Sequence, residues 1–114
     1  MQTIPDIVVQ LVHIEGPLKG EILEFSENEI LIGRHPQCHL LFPRELDIIS
    51  RKHARIVREG NRFKLIDHST NGTYVNGKRV QESFLKNGDV LMLADDQGRG
   101  LEGGVRIFFN RQTR

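Results

Sequence analysis

Tryptophan is missing from this 114-residue chain, cysteine occurs once, and aromatic residues make up only 6%. The lone Cys38 excludes an intrachain disulfide and fits a reducing compartment. No apolar run approaches the roughly 20 residues that a membrane-spanning helix needs. The start, M-Q-T-I-P-D, has no basic region leading into an apolar core, so no signal peptide is expected and a cytoplasmic protein is. An excess of one charge is lacking too: 16 Lys and Arg stand against 15 Asp and Glu, a formal net charge of +1. That balance argues against a nucleic-acid binder relying on a bulk positive field. No internal repeat, low-complexity tract or convincing helical period appears.

What is present is a balance of 38% hydrophobic and 27% charged residues, which suits one soluble domain with its own core. Short apolar or alternating segments recur at 7–14, 21–25, 29–33, 39–42, 53–59, 62–67, 73–75, 78–80, 90–94 and 105–109. Gly, Asn and Pro turns separate them. In 62–67, Phe63 and Leu65 share one face while Arg62 and Lys64 take the other, the mark of a half-buried antiparallel strand. The pattern predicts an all-β antiparallel sandwich over residues 7–109, a flexible segment 1–6 and a polar tail 110–114. The longest connection, 43–50, has room for a helical turn at most, and the Gly-rich stretch 97–104 is expected to be a mobile surface loop.

The chain is organised around S-T-N-G-T-Y-V-N-G, residues 69–77. Two Asn-Gly dipeptides flank Thr73-Tyr74-Val75, and both members of such a pair tolerate the positive φ of tight turns. The spacing predicts a very short strand and a rigid ledge at Thr70-Asn71. Upstream, Gly33-Arg34 ends the run Ile30-Leu31-Ile32, and Ser50-Arg51-Lys52-His53 opens another strand. Each sets polar groups at a strand–loop junction, where function usually sits.

Gly33-Arg34, Ser50-x-x-His53 and Asn71-Gly72, in this order and spacing, resemble the signature of the forkhead-associated (FHA) domain, a phosphothreonine-peptide reader. The resemblance runs from about residue 7 to 109. It implies a non-catalytic module, without cofactor or metal, that recruits phosphothreonine-bearing partners made by a Ser/Thr kinase. The alternative is a scaffold of the same fold with an idle pocket. A small hydrolase is poorly supported, since no nucleophile–base pair emerges.

Arg34 offers a planar fork that grips two phosphate oxygens, which a lysine cannot. Ser50 supplies a hydroxyl, and Arg51 a second cation through its side chain or its backbone N–H. The resemblance implies that Thr70 shapes the pocket and that the Asn71 amide bonds the ligand backbone, although Asn71 also suits a positive-φ turn. His53 is read as bonding backbone and fixing the Ser50 loop against the Asn71 loop. Gly33, Gly72, Asn76 and Gly77 are read as architectural. From residue 34 to 58, Arg34, Arg44, Arg51, Lys52, Arg55 and Arg58 outnumber Glu45 and Asp47, an excess suited to a small anionic ligand.

Other signals weigh less. His35, Cys38 and His39 lie close together but lack the fourth ligand and paired spacing of a zinc site. Asp67-His68-Ser69 has the letters of a hydrolase triad, yet adjacent residues do not present their side chains in that geometry. The resemblance implies a preference within the family for Asp three residues after the phosphothreonine. Asp6 stands there relative to Thr3, so a phosphorylated Thr3 is a candidate ligand for a neighbouring copy, and an ordinary terminus is the competing reading.

Overall fold

The computed structural model describes residues 6–93 and 105–113, so Thr3 and the 97–104 stretch lie outside the described residues. Eleven strands form, and no helix occurs among the described residues. They are β1 (Ile7–Glu15), β2 (Ile22–Phe25), β3 (Glu29–Gly33), β4 (Leu40–Leu41), β5 (Ala54–Glu59) and β6 (Arg62–Asp67). After them come β7 (Thr73–Val75), β8 (Lys78–Arg79), β9 (Glu82–Leu85), β10 (Val90–Leu93) and β11 (Val105–Thr113). One sheet runs β2-β1-β11-β10-β7-β8 and the other β4-β3-β5-β6-β9.

Alternation along each strand builds the core between the sheets. Ile30, Ile32, Ile56, Phe63 and Leu65 of one sheet share a buried cluster with Val9, Leu11, Leu91, Ile107 and Phe109 of the other. The sandwich is antiparallel except at one edge, where β3 and β4 pair in parallel through Ile32–Leu40 and Gly33–Leu41. The expected antiparallel sandwich is thus present, with this one parallel edge pair added. β4 spans only two residues because residues 34–39 bring the chain straight back alongside β3.

Two further differences concern edges. β9 leaves no mark in the apolar pattern, because only Leu85 is buried while Glu82 and Phe84 are exposed; its identity comes from pairing with β6, Lys64 opposite Phe84. Arg62 covers that exposed ring at 3.6 Å, a cation–π contact. β11 runs past Phe109 to Thr113, pairing with β1 as far as Ile7–Thr113. Residues 110–113 therefore belong to the sheet and not to a tail; backbone pairing holds them, and polar side chains hide that from a hydrophobicity pattern.

One buried group is not matched to its surroundings. His13 on β1 is 2% exposed, packs edge-on against Phe42 at 6.2 Å, and among the described residues neither ring nitrogen has a hydrogen-bond partner. Burial lowers its pKa, with the Glu21 charge opposing. Stripping water from two unpaired nitrogens costs free energy that an apolar ring avoids. His13→Phe is therefore expected to raise stability by about 1 kcal/mol in urea unfolding. A loss of stability would mean that the imidazole has a partner after all.

Candidate functional site

Three loops meet at one end of the sandwich: residues 34–39 after β3, 43–53 before β5, and 68–72 between β6 and β7. Gly33 brings the first two together. A Cβ at this position would lie 2.2 Å from the Arg51 carbonyl oxygen and 2.9 Å from that of Ser50, so β3 ends in direct contact with the Ser50–Arg51 backbone. The N–H groups of Arg34 and His35 then both donate to the Arg51 carbonyl, at 2.9 Å each. The Arg34 guanidinium turns onto the same loop, Nε donating to the Ile49 carbonyl and Nη1 to that of Arg44 at 2.8 Å. A guanidinium has five N–H donors, so three remain for a ligand.

His53 ties the second loop to the third. The Ser50 N–H donates to His53 Nδ1 at 2.9 Å, so the ring proton sits on Nε2, which donates to the Gly72 carbonyl at 2.9 Å. The Thr70 N–H donates to Ser50 Oγ at 3.1 Å, leaving the hydroxyl hydrogen free to donate. Asn71 Nδ2 donates to the Ile48 carbonyl at 3.2 Å. Its second N–H and its oxygen remain, as an amide carries two donors and an acceptor.

The two Asn-Gly pairs are not equivalent. Asn76 (φ 52°) and Gly77 (φ 85°) both take the left-handed conformation, the requirement of a type I′ turn, between Val75 and Lys78. Asn76 is further held through Nδ2 to Asp89 Oδ1 and through its oxygen to the Val90 N–H, both 2.9 Å. At the first pair only Gly72 has positive φ, at 103°, so Asn71 is not a left-handed turn residue. Its side chain bonds across to residue 48 instead. The 69–72 ledge rests on Asp67, whose Oδ1 accepts from the Ser69 N–H (3.1 Å), Ser69 Oγ (2.5 Å) and Thr73 Oγ1 (2.8 Å). Sequence reasoning passed over Asp67, which appeared only in the letters of a chance triad.

Arg34 and Arg51 line an open cleft of about 630 Å³ together with Pro36, Arg44 and Glu45. Ser50, Thr70 and Asn71 do not line it; Thr70 is bonded to Ser50, and Asn71 to Ile48 of the loop that forms its wall. Arg44 was counted in the local basic excess, but nothing in the sequence singled it out. Two others in that excess are engaged elsewhere: Arg55 with Glu29 at 2.6 Å, and Arg58 with the Gly60 carbonyl at 2.7 Å. Among the described residues, no carboxylate forms an ion pair with Arg34, Arg44 or Arg51.

The nearby His and Cys side chains have separate partners. His35 Nδ1 accepts from the Gln37 N–H and His39 Nδ1 from the Leu31 N–H, both at 3.0 Å. The Cys38 thiol donates to the Arg51 carbonyl at 3.5 Å, and burial raises its pKa. It is a protonated packing group and not a thiolate.

Acid should loosen this site. Burial is the main influence on His53 and lowers its pKa from the ordinary 6.5, outweighing the Gly72 carbonyl and Asp67. The folded state thus favours neutral imidazole, and the unfolded chain binds the proton first. The stability tied to this is fully present above about pH 6.5 and is lost as pH falls through the depressed folded value. His13 acts in the same sense. Once protonated, Nδ1 no longer accepts from Ser50. Melting curves are expected to shift down on acidification below pH 6.5, and less so in His13→Phe. A flat profile from pH 7 to 5 would contradict this.

Comparison with known proteins sets the geometry in context. The FHA domain family model matches residues 30–94. An oxoglutarate dehydrogenase inhibitor of Corynebacterium jeikeium is 32% identical over 82% of this chain and 64% of its own length. The glycogen accumulation regulator GarA of Mycolicibacterium smegmatis is 33% identical over 82% of this chain and 58% of its own. The chain thus spans less than two-thirds of these relatives. A solved structure from a structural and functional analysis of phosphothreonine-dependent FHA domain interactions superposes with a TM-score of 0.70. It is 31% identical and the match covers 90% of this chain and 95% of that one.

Proposed function

This chain belongs to the FHA domain family, and we propose that its apical loops bind phosphothreonine in extended segments of partner proteins, in Ser/Thr-kinase-dependent signalling. The observation that carries this is the placement of Arg34. Its backbone is held against Arg51, two of its donors organise the loop, and three are left beside a cleft with two further guanidinium groups. A phosphothreonine brings a charge of about −1.5 to −2 and three acceptor oxygens, a match for such a donor set. The Ser50 hydroxyl adds a donor and Arg51 a cation. Thr70 helps shape the pocket around the phosphothreonine, and the free half of the Asn71 amide bonds the ligand backbone.

Each well-made charge-assisted bond is worth roughly 1.5–3 kcal/mol. Three or four, less the cost of ordering a peptide, correspond to about micromolar affinity. The protein acts by binding and not by turnover, and relatives named as an inhibitor and a regulator support that reading. No helix among the described residues is long and apolar enough to cross a membrane. The lone Cys38 fits a reducing compartment, and on that ground we infer a cytoplasmic role. Calorimetric titration with phosphothreonine, phosphoserine and unphosphorylated forms of one peptide tests the proposal. The unphosphorylated form is expected to bind at least 100-fold more weakly than the phosphothreonine form. Equal affinity for those two would end it.

A further inference from the structure

We propose that the partner segment continues beyond the phosphate as an acidic stretch, lying in a basic groove down the flank of the five-stranded sheet; this rests on the phosphopeptide reading above. The apical cleft shares Arg51 with a second hollow of about 430 Å³, bounded by His35, Arg51 and Lys52. That hollow shares Lys52 with a third of about 400 Å³. There Lys52, Arg55 and His68 form the rim, and Leu31, Ile32 and Ala54 give an apolar floor. Arg51 and Lys52, each lining two neighbouring hollows, set the three in succession from the loops onto β3 and β5.

Charge and shape both favour an acidic peptide as the occupant. Among the described residues, neither Arg51 nor Lys52 has a carboxylate partner, and both are exposed. The carboxylate of the third hollow, Glu29, is held by Arg55 Nη1 at 2.6 Å, and Arg55 Nε donates to His68 Nε2 at 3.2 Å. Arg55 is thereby oriented, its negative neighbour is neutralised, and Lys52 leaves the track net positive. An extended chain sends alternate side chains to opposite sides at about 3.3 Å per residue. It can set carboxylates against Arg51 and Lys52 and an apolar side chain over Leu31. Exposed pairs of this kind are individually weak and screened by salt, so the gain is a modulation of affinity.

The test uses synthetic phosphothreonine peptides with an uncharged core. One set carries Glu-Glu-Leu-Glu appended on the N-terminal or C-terminal side, and a matched set carries Gln-Gln-Leu-Gln. One acidic extension is expected to bind about tenfold tighter than its Gln counterpart at low salt, about 1.4 kcal/mol. The gain should shrink in salt, and Lys52→Ala should cut it to about two- to threefold while leaving the core peptide's affinity unchanged. No gain from either extension, or a gain undiminished in Lys52→Ala, overturns the groove while the apical reading stands. Failure of the core peptide to bind the wild-type protein brings down both.

Discussion

Replacing Arg34 with alanine is expected to weaken phosphothreonine-peptide binding by more than 100-fold, with only a small loss of fold stability. Removing one partner of a charge-assisted pair costs roughly 2–5 kcal/mol, and about 2.7 kcal/mol already corresponds to 100-fold. The side chain also fastens the 43–50 loop through the Ile49 and Arg44 carbonyls. The Arg44 carbonyl is exposed and water replaces its lost donor. Ile49 is buried, and its carbonyl is satisfied only by water entering the space the side chain leaves, so unfolding should shift by about 1 kcal/mol. Arg34→Lys separates charge from geometry. A lysine keeps the charge but has no planar fork to span two loop carbonyls and a phosphate, so it should recover little binding. An Arg34→Ala protein that titrates within threefold of wild type would remove Arg34 from the site.

The second large effect is expected at Gly33. Gly33→Ala should cost about 2–3 kcal/mol of stability, and binding should fall with it. The added methyl meets the Arg51 carbonyl oxygen at 2.2 Å and the Arg51 carbonyl carbon at 2.8 Å, and rigid backbone does not yield as a side-chain tip would. Separating β3 from the Ser50–Arg51 backbone also breaks the paired N–H donation that aims Arg34. Gly20→Ala is the control. It has open space around the new Cβ and only the strain of φ +92°, worth about 1 kcal/mol. Urea unfolding of the two variants compares collision with strain. A Gly33→Ala loss no larger than that of Gly20→Ala would show that the strand end gives way.

Much of the architecture could be read from residue order because it rests on local rules. Phe63 and Leu65 alternate with Arg62 and Lys64, so β6 and its buried face follow from a period of two. Asn76-Gly77 is a hairpin turn because its two residues accept φ of 52° and 85°. The illegible parts lack such a rule. β9 is an edge strand with one buried residue, and β11 continues through polar residues 110–113, so only pairing with a neighbour defines them.

Site residues divide in the same way. The order Gly33-Arg34, Ser50-x-x-His53, Asn71-Gly72 pointed to three loops, because each sits at a junction of strand and loop. It could not show that the Asn71 amide reaches the Ile48 carbonyl, that Asp67 carries the 69–72 ledge, or that Arg44 lines the cleft while Arg55 pairs with Glu29. By itself, then, the sequence determined the strands with a clear apolar alternation, the turns and the kinds of donor available. Only the tertiary structure decided which donors are tied to loop carbonyls and which stay free. Hydrogen bonds between segments 15 to 23 residues apart depend on where the two sheets bring the chain together, and no local pattern encodes that distance.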